Sequence, residues 1–170
     1  MTRIEVFPRE GINGVHFGMP RNEVHASLGK PSDNTARSEV IILGESIPNP
    51  ARDGYFENEM QIFYDEKNLV EFIELSGRGA YLTDVHLASI QVFQIKVDNL
   101  LERIALEFGE SFDRDDSEIP CSYTFRSLDM VLWRPFGPED SKIEGEKPDE
   151  EDDAAYFWTI SIGRKGYFAN

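Results

Sequence analysis

The strongest hydrophobic periodicity lies in "VFQIKVDNLLERIALEFGES", residues 92–111. Leu101, Ile104, Ala105 and Phe108 recur at i, i+3, i+4 and i+7, one face of a helix. Asp98 is a suitable N-cap and Gly109 a stop, so the spacing predicts a helix over 98–108. Val92, Phe93 and Ile95 before it read as a strand. A shorter version of the pattern is "GVHFGMPRNEVHASLGKP", residues 14–31. Val15 and Phe17 alternate with Gly14 and His16, as in a strand, and Gly18-Met19-Pro20 breaks the alternation. Pro20 suits a first helical turn, Val24 and Leu28 share one face, and Gly29 and Pro31 end the helix. A helix is therefore expected over 20–28.

Apolar stretches follow each helix. "EVIILG" (39–44), "EMQIFYD" (59–65) and "LVEFIEL" (69–75) read as strands, the last two joined by a turn at "DEKN". "SYTFRSLDMVLW" (122–133) reads as a hairpin turning at Ser127-Leu128-Asp129, and "AAYFWTISIG" (154–163) as a further strand. The element order predicts two tandem repeats, 1–80 and 81–170, each a short helix packed on antiparallel strands, able to join in one sheet. The fold class is α+β. Tyr64, Phe72, Phe125, Trp133 and Trp158 are expected to be mostly core.

Composition narrows function. The chain of 170 residues is 40% hydrophobic, enough for a buried core. Seventeen basic residues against thirty-two acidic ones give a net charge of −15. That argues against nucleic acid and anionic membranes as partners and suits a basic protein. Cys121 is the single cysteine, so no internal disulfide can form and a reducing compartment is expected. The N-terminal stretch has no apolar signal core and no window is apolar for 18 residues, so a cytoplasmic location is expected.

Candidate chemistry is sparse. The glycines at 11, 14 and 18 read as turn residues, because Gly-Lys-Ser/Thr and Gly-x-Gly-x-x-Gly are missing. Cys121 follows Pro120 at a strand start, and nothing marks His16, His25 or His86 as its base, so a packed thiol is expected. No Gly-x-Ser-x-Gly elbow occurs. "DRDDSE" (113–118) lacks the glycine and spaced glutamate of an EF-hand loop, and the histidines are isolated, so no metal or other cofactor is expected. The most unusual segment is "GPEDSKIEGEKPDEEDD" (137–153), a polar insertion between strands. From Glu139 to Asp153 it carries nine acidic residues and two lysines, including the run Asp149, Glu150, Glu151, Asp152 and Asp153. Such a run repels itself and is either a solvated loop or a contact for a cationic partner.

"VHFGMPRNEVHASLGKP" resembles the motif that opens the helix in small outer-membrane assembly lipoproteins and in β-lactamase-inhibitor-like domains. The matching residues are Phe17, Gly18, Met19, Glu23, Val24, Leu28, Gly29 and Pro31. Those inhibitors are built from two helix-plus-sheet repeats whose concave sheet grips an enzyme. This chain lacks a lipid-bearing cysteine and the disulfides of the secreted inhibitors, and its second copy lacks the Gly-Met pair. The whole chain also resembles bacterial cytoplasmic proteins encoded beside polymorphic toxins as immunity proteins. The features are "GINGVHFGMPRNEV", "FYDEKNLVEFIEL", "SYTFRSLDMVLWRP" and "GRKGYF".

The resemblance implies a cytoplasmic immunity-type protein, not an enzyme, that occludes a cognate toxin domain, for which a basic nuclease is the candidate. Carboxylates at 149–153 would meet the basic surface, with Trp133 and Tyr156 as anchors. The alternative is a ligand-binding or regulatory module of the same fold without a toxin partner. A hydrolase using unrecognised carboxylates is a third reading.

Overall fold

The computed structural model describes residues 1–77, 79, 81–137 and 153–169. In chain order the elements are β1 (Thr2–Phe7), β2 (Gly11–Ile12), β3 (Val15–His16), α1 (Arg21–Leu28), β4 (Asp33–Thr35), β5 (Ser38–Ile42), β6 (Glu45–Asn49) and β7 (Ala51–Tyr55). Then come β8 (Met60–Tyr64), β9 (Val70–Ser76), β10 (Thr83–Leu87), β11 (Ile90–Gln91), α2 (Val97–Phe108), β12 (Ser122–Phe125), β13 (Met130–Trp133) and β14 (Thr159–Gly163). The fold is α+β.

Seven strands form an antiparallel sheet in the order β12-β13-β14-β9-β8-β7-β4. A second sheet has the order β11-β10-β1-β2-β3, in which β1 and β10 run parallel and the other pairs antiparallel. A parallel pair needs a long crossover, here everything from β2 to β9, which no local pattern announces. Hairpin β5-β6 forms its own two-stranded sheet. Residues of 1–80 and of 81–170 share both larger sheets, through β1 with β10 and β9 with β14. They also share one apolar core.

Both helices lie where the periodicity puts them. α2 starts at Val97, one residue early, with Lys96 as an N-cap that makes no side-chain bond. Asp98 thus falls inside the first turn, where its charge favours the helix dipole, rather than at the cap. Gly109 is left-handed (φ 66°) and its N–H reaches the Ala105 carbonyl. The buried stripe is Val97, Leu100 and Ile104, whereas Leu101 and Phe108 are partly covered and Ala105 is exposed. The spacing allows either centre, and the sheet surface selects the one nearer the helix start. α1 buries Val24 and half-covers Leu28 after an extended Pro20.

Elsewhere the boundaries shift. Residues 92–94 form a 3-10 turn after β11, not a strand, and the strand expected from 154 begins at Thr159, after a 3-10 turn at Asp153–Ala155. Tyr64 and Phe125 are core, Phe72 and Trp158 are half-buried, and Trp133 is exposed.

Register explains how the large sheet divides inside from outside. One cross-strand row reads Asp53, Ile62, Ile73, Ile162, Met130, Phe125, all buried. α1 reaches this inner face at Asp53, and Val24 of α1 and Leu100 and Ile104 of α2 belong to the same apolar core. The neighbouring row reads Asp33, Gly54, Gln61, Glu74, Ser161, Val131, Thr124 and faces outward. Side chains alternate between faces with period two, which produces these two rows.

Candidate functional site

Asp53 interrupts the apolar inner row. It is 0% exposed, and an isolated buried carboxylate is costly. Three side chains compensate. Arg21 donates to it twice, Nη2 to Oδ1 at 2.5 Å and Nε to Oδ2 at 3.1 Å. His25 Nε2 meets Oδ2 at 2.7 Å, and the Tyr64 hydroxyl donates to Oδ2 at 2.7 Å. Arg21 and His25 are four apart on α1, so one helix face presents both to β7.

Burial pushes the Asp53 carboxyl up, but hydrogen bonds from Arg21, Tyr64 and His25 outweigh it and hold the group below its ordinary value. Asp53 is therefore ionised, and His25 Nε2 is the donor of that bond. The bond to Asp53 raises Arg21 further above its ordinary value. Tyr64 is pushed up by burial and by its bond to Asp53, so it stays a neutral donor. Burial and the Asp53 charge push Tyr55 up to about 12.

Arg21 is fixed from several sides. Nη2 also donates to the carbonyls of Arg52 (3.2 Å) and Thr35 (3.4 Å), and the guanidinium carbon lies 5.1 Å from the Tyr64 ring centroid. Beside α1 and β4 a cavity of about 500 Å³ opens, lined by Arg21, His25, Lys30, Pro31, Asn34 and Ala36.

The outer face of the large sheet has a different character. Phe63 and Phe72 pack edge-on at 5.3 Å, and Tyr167 stacks on Phe72 at 5.2 Å. A depression of about 350 Å³ lies beside Phe72, with Asp116, Glu118, Ser122, Thr124, Val131 and Ser161 around it. Asp116 accepts bonds from the Thr124 hydroxyl (2.8 Å) and the Glu118 N–H (3.0 Å), and Glu74 accepts from the Ser161 hydroxyl (3.3 Å). The C-terminal strip bearing Tyr167 and Phe168 is tied down by buried Asp129. Its carboxylate accepts the N–H groups of Gly166 (2.9 Å) and Phe168 (3.2 Å) and Nε of Arg9 (2.9 Å).

Of the residues singled out in the sequence, Trp133 and Tyr156 each lie beside Trp158. Trp133 is 39% exposed and meets Trp158 edge-on at 6.4 Å. Tyr156 and Trp158 line a cavity of about 370 Å³ with Gly77, Gly79, Phe93, Gln94 and Phe157. Asp149, Glu150, Glu151 and Asp152 lie outside the described residues, and Asp153 opens a 3-10 turn. Arg134, 3% exposed, braces the chain beside both ends of the insertion by donating to the carbonyls of Pro120 and Ala154.

Cys121 is half-buried with its sulfur 3.9 Å from the Pro135 carbonyl, whereas His25 and His86 bond Asp53 and Asp84. Among the described residues no group of three or more His, Cys, Asp or Glu could hold a metal, and no helix is long and apolar enough to cross a membrane. Sequence reasoning missed the Asp53 centre. The available signal was an aspartate in the short stretch Ala51–Tyr55, with Arg and His four apart on a predicted helix. No protein-family model, curated protein or solved structure matches the chain.

Proposed function

We propose that the protein is a non-catalytic binding protein that occludes a basic protein partner, in the manner of a cytoplasmic immunity protein blocking a cognate toxin domain such as a nuclease. The observation that carries this reading is the outer face of the large sheet. It combines an aromatic ridge (Phe63, Phe72, Tyr167) with the carboxylates of Glu74, Asp116 and Glu118, in a chain of net charge −15. Aromatic anchors supply contact area, and complementary charge steers encounter and fixes partner choice. Trp133, exposed at the edge of this face, adds an anchor. The acidic run 149–153 adds long-range attraction. The same reading takes 1–80 and 81–170 as tandem units. Each supplies strands to the five-stranded sheet, then a helix, then strands of the seven-stranded one, four from 1–80 and three from 81–170, and the last strands, β9 and β14, meet near its middle.

The test is affinity capture from the native host, followed by binding kinetics with the captured protein. A basic protein should be retained, and Glu118→Lys with Val131→Arg on the outer face should abolish retention while the fold is kept. Capture of no basic protein, or equal binding by the variant, refutes the assignment. A ligand-binding or regulatory module is the second reading, and the cavity at Arg21, His25 and Lys30 favours it.

A further inference from the structure

We propose that the cavity beside α1 and β4 binds a small phosphate-bearing ligand. The chain is strongly acidic, yet Arg21, His25 and Lys30 line this cavity and no carboxylate is among its lining residues as far as the described residues go. Asp53, behind Arg21 and His25, is fully buried, and both its oxygens are engaged by Arg21, His25 and Tyr64, while Asp33 beside Asn34 is paired with Arg52.

The donors are pre-organised. Arg21 Nε and Nη2 are committed to Asp53 and to two backbone carbonyls, which fixes the guanidinium plane. Nη1 makes no hydrogen bond among the described residues and is the nitrogen left for the cavity. His25 has Nε2 on Asp53, so Nδ1 is its remaining ring nitrogen, and the side chain is 39% exposed. Lys30 adds a mobile ammonium and Asn34 a neutral amide donor. Fixed donors bind an anion without first having to be ordered, and a guanidinium nitrogen beside an ammonium is a recurrent phosphate-binding combination.

The size of the cavity selects the class of ligand. About 500 Å³ lies within the range of small-molecule sites. The apolar side chains of Pro31 and Ala36 give the uncharged part of a phosphate ester a wall to pack on. A phosphate monoester fits this combination better than a bare carboxylate, because its three terminal oxygens can engage the Arg21 guanidinium, the Lys30 ammonium and the Asn34 amide together.

The experiment titrates isotope-labelled protein with inorganic phosphate, with glycerol phosphate and with acetate at constant ionic strength, following amide shifts by NMR. Saturable shifts are expected at Arg21, His25, Lys30 and Asn34, with glycerol phosphate the tighter of the two phosphates and acetate the weakest. Lys30→Gln, at an exposed position, should weaken binding about tenfold, the scale of one charge-assisted hydrogen bond. Lys67→Gln, outside the cavity, should leave it unchanged. Shifts that rise linearly without saturating, acetate binding as tightly as the phosphates, or a Lys30→Gln affinity within about twofold of wild type would each overturn the assignment.

Discussion

Replacing Asp53 by asparagine keeps the shape of the side chain and removes its charge. Three donor groups then converge on an amide. One asparagine oxygen can still accept, but the amide nitrogen is itself a donor facing donors where a carboxylate oxygen had been. Arg21 loses its counter-ion at 21% side-chain exposure. Breaking a buried ion pair from one side costs about 3–5 kcal/mol. Arg21 keeps its bonds to the Arg52 and Thr35 carbonyls and some contact with water, so the lower end, about 3 kcal/mol, is expected. For a domain of this length that corresponds to a fall of roughly 6–12 °C in Tm. Urea unfolding followed by tryptophan fluorescence measures the loss directly, with an unchanged m-value showing that only stability has moved. The pH dependence gives a second readout. The folded Asp53 carboxyl lies below its ordinary value. Its contribution is therefore complete above the unfolded value near pH ~4 and is lost as pH falls through the lower folded value. The gap between wild type and Asp53→Asn should thus be constant near neutrality and narrow in acid. A loss under about 0.5 kcal/mol, the scale of surface substitutions, or a gap unchanged well into acid, would refute the central role given to this carboxylate.

Other substitutions probe the packing and the contacts. Ile104→Ala, at a fully buried position, should cost about 2–5 kcal/mol by chemical denaturation, and Leu101→Ala clearly less, because Leu101 is only partly covered. Gly163→Ala would place a Cβ 2.4 Å from the Tyr167 Cβ. It should displace the C-terminal strip and cost about 1–3 kcal/mol, visible as lost protection of the Gly166 and Phe168 amides. Glu59 gathers the N–H groups of Tyr81, Leu82 and Thr83 and the Thr83 hydroxyl, so Glu59→Gln should speed hydrogen exchange at those three amides and leave the large sheet untouched. Neutralising Asp149, Glu150, Glu151, Asp152 and Asp153 should slow association with a captured basic partner and flatten its salt dependence, with dissociation little changed.

The sequence by itself determined what local rules can reach. Periodicity and the Gly29 and Gly109 stops located both helices, because an amphipathic stripe and a chain terminator act over a few residues. Alternation and turn residues located the hairpins β8-β9 and β12-β13 for the same reason. Charge and composition shaped the expectation of a basic protein partner without reference to any fold. Tertiary structure decided the rest. The parallel pairing of β1 with β10 joins residues about eighty positions apart, and nothing in either strand specifies the other. The choice of Leu100 over Leu101 as the centre of the α2 face came from the sheet beneath it. The Asp53 centre depended on register. Asp53 faces inward because β7 pairs with β8 as it does, and a slip of one residue would turn it to solvent and leave Arg21 and His25 without a common partner.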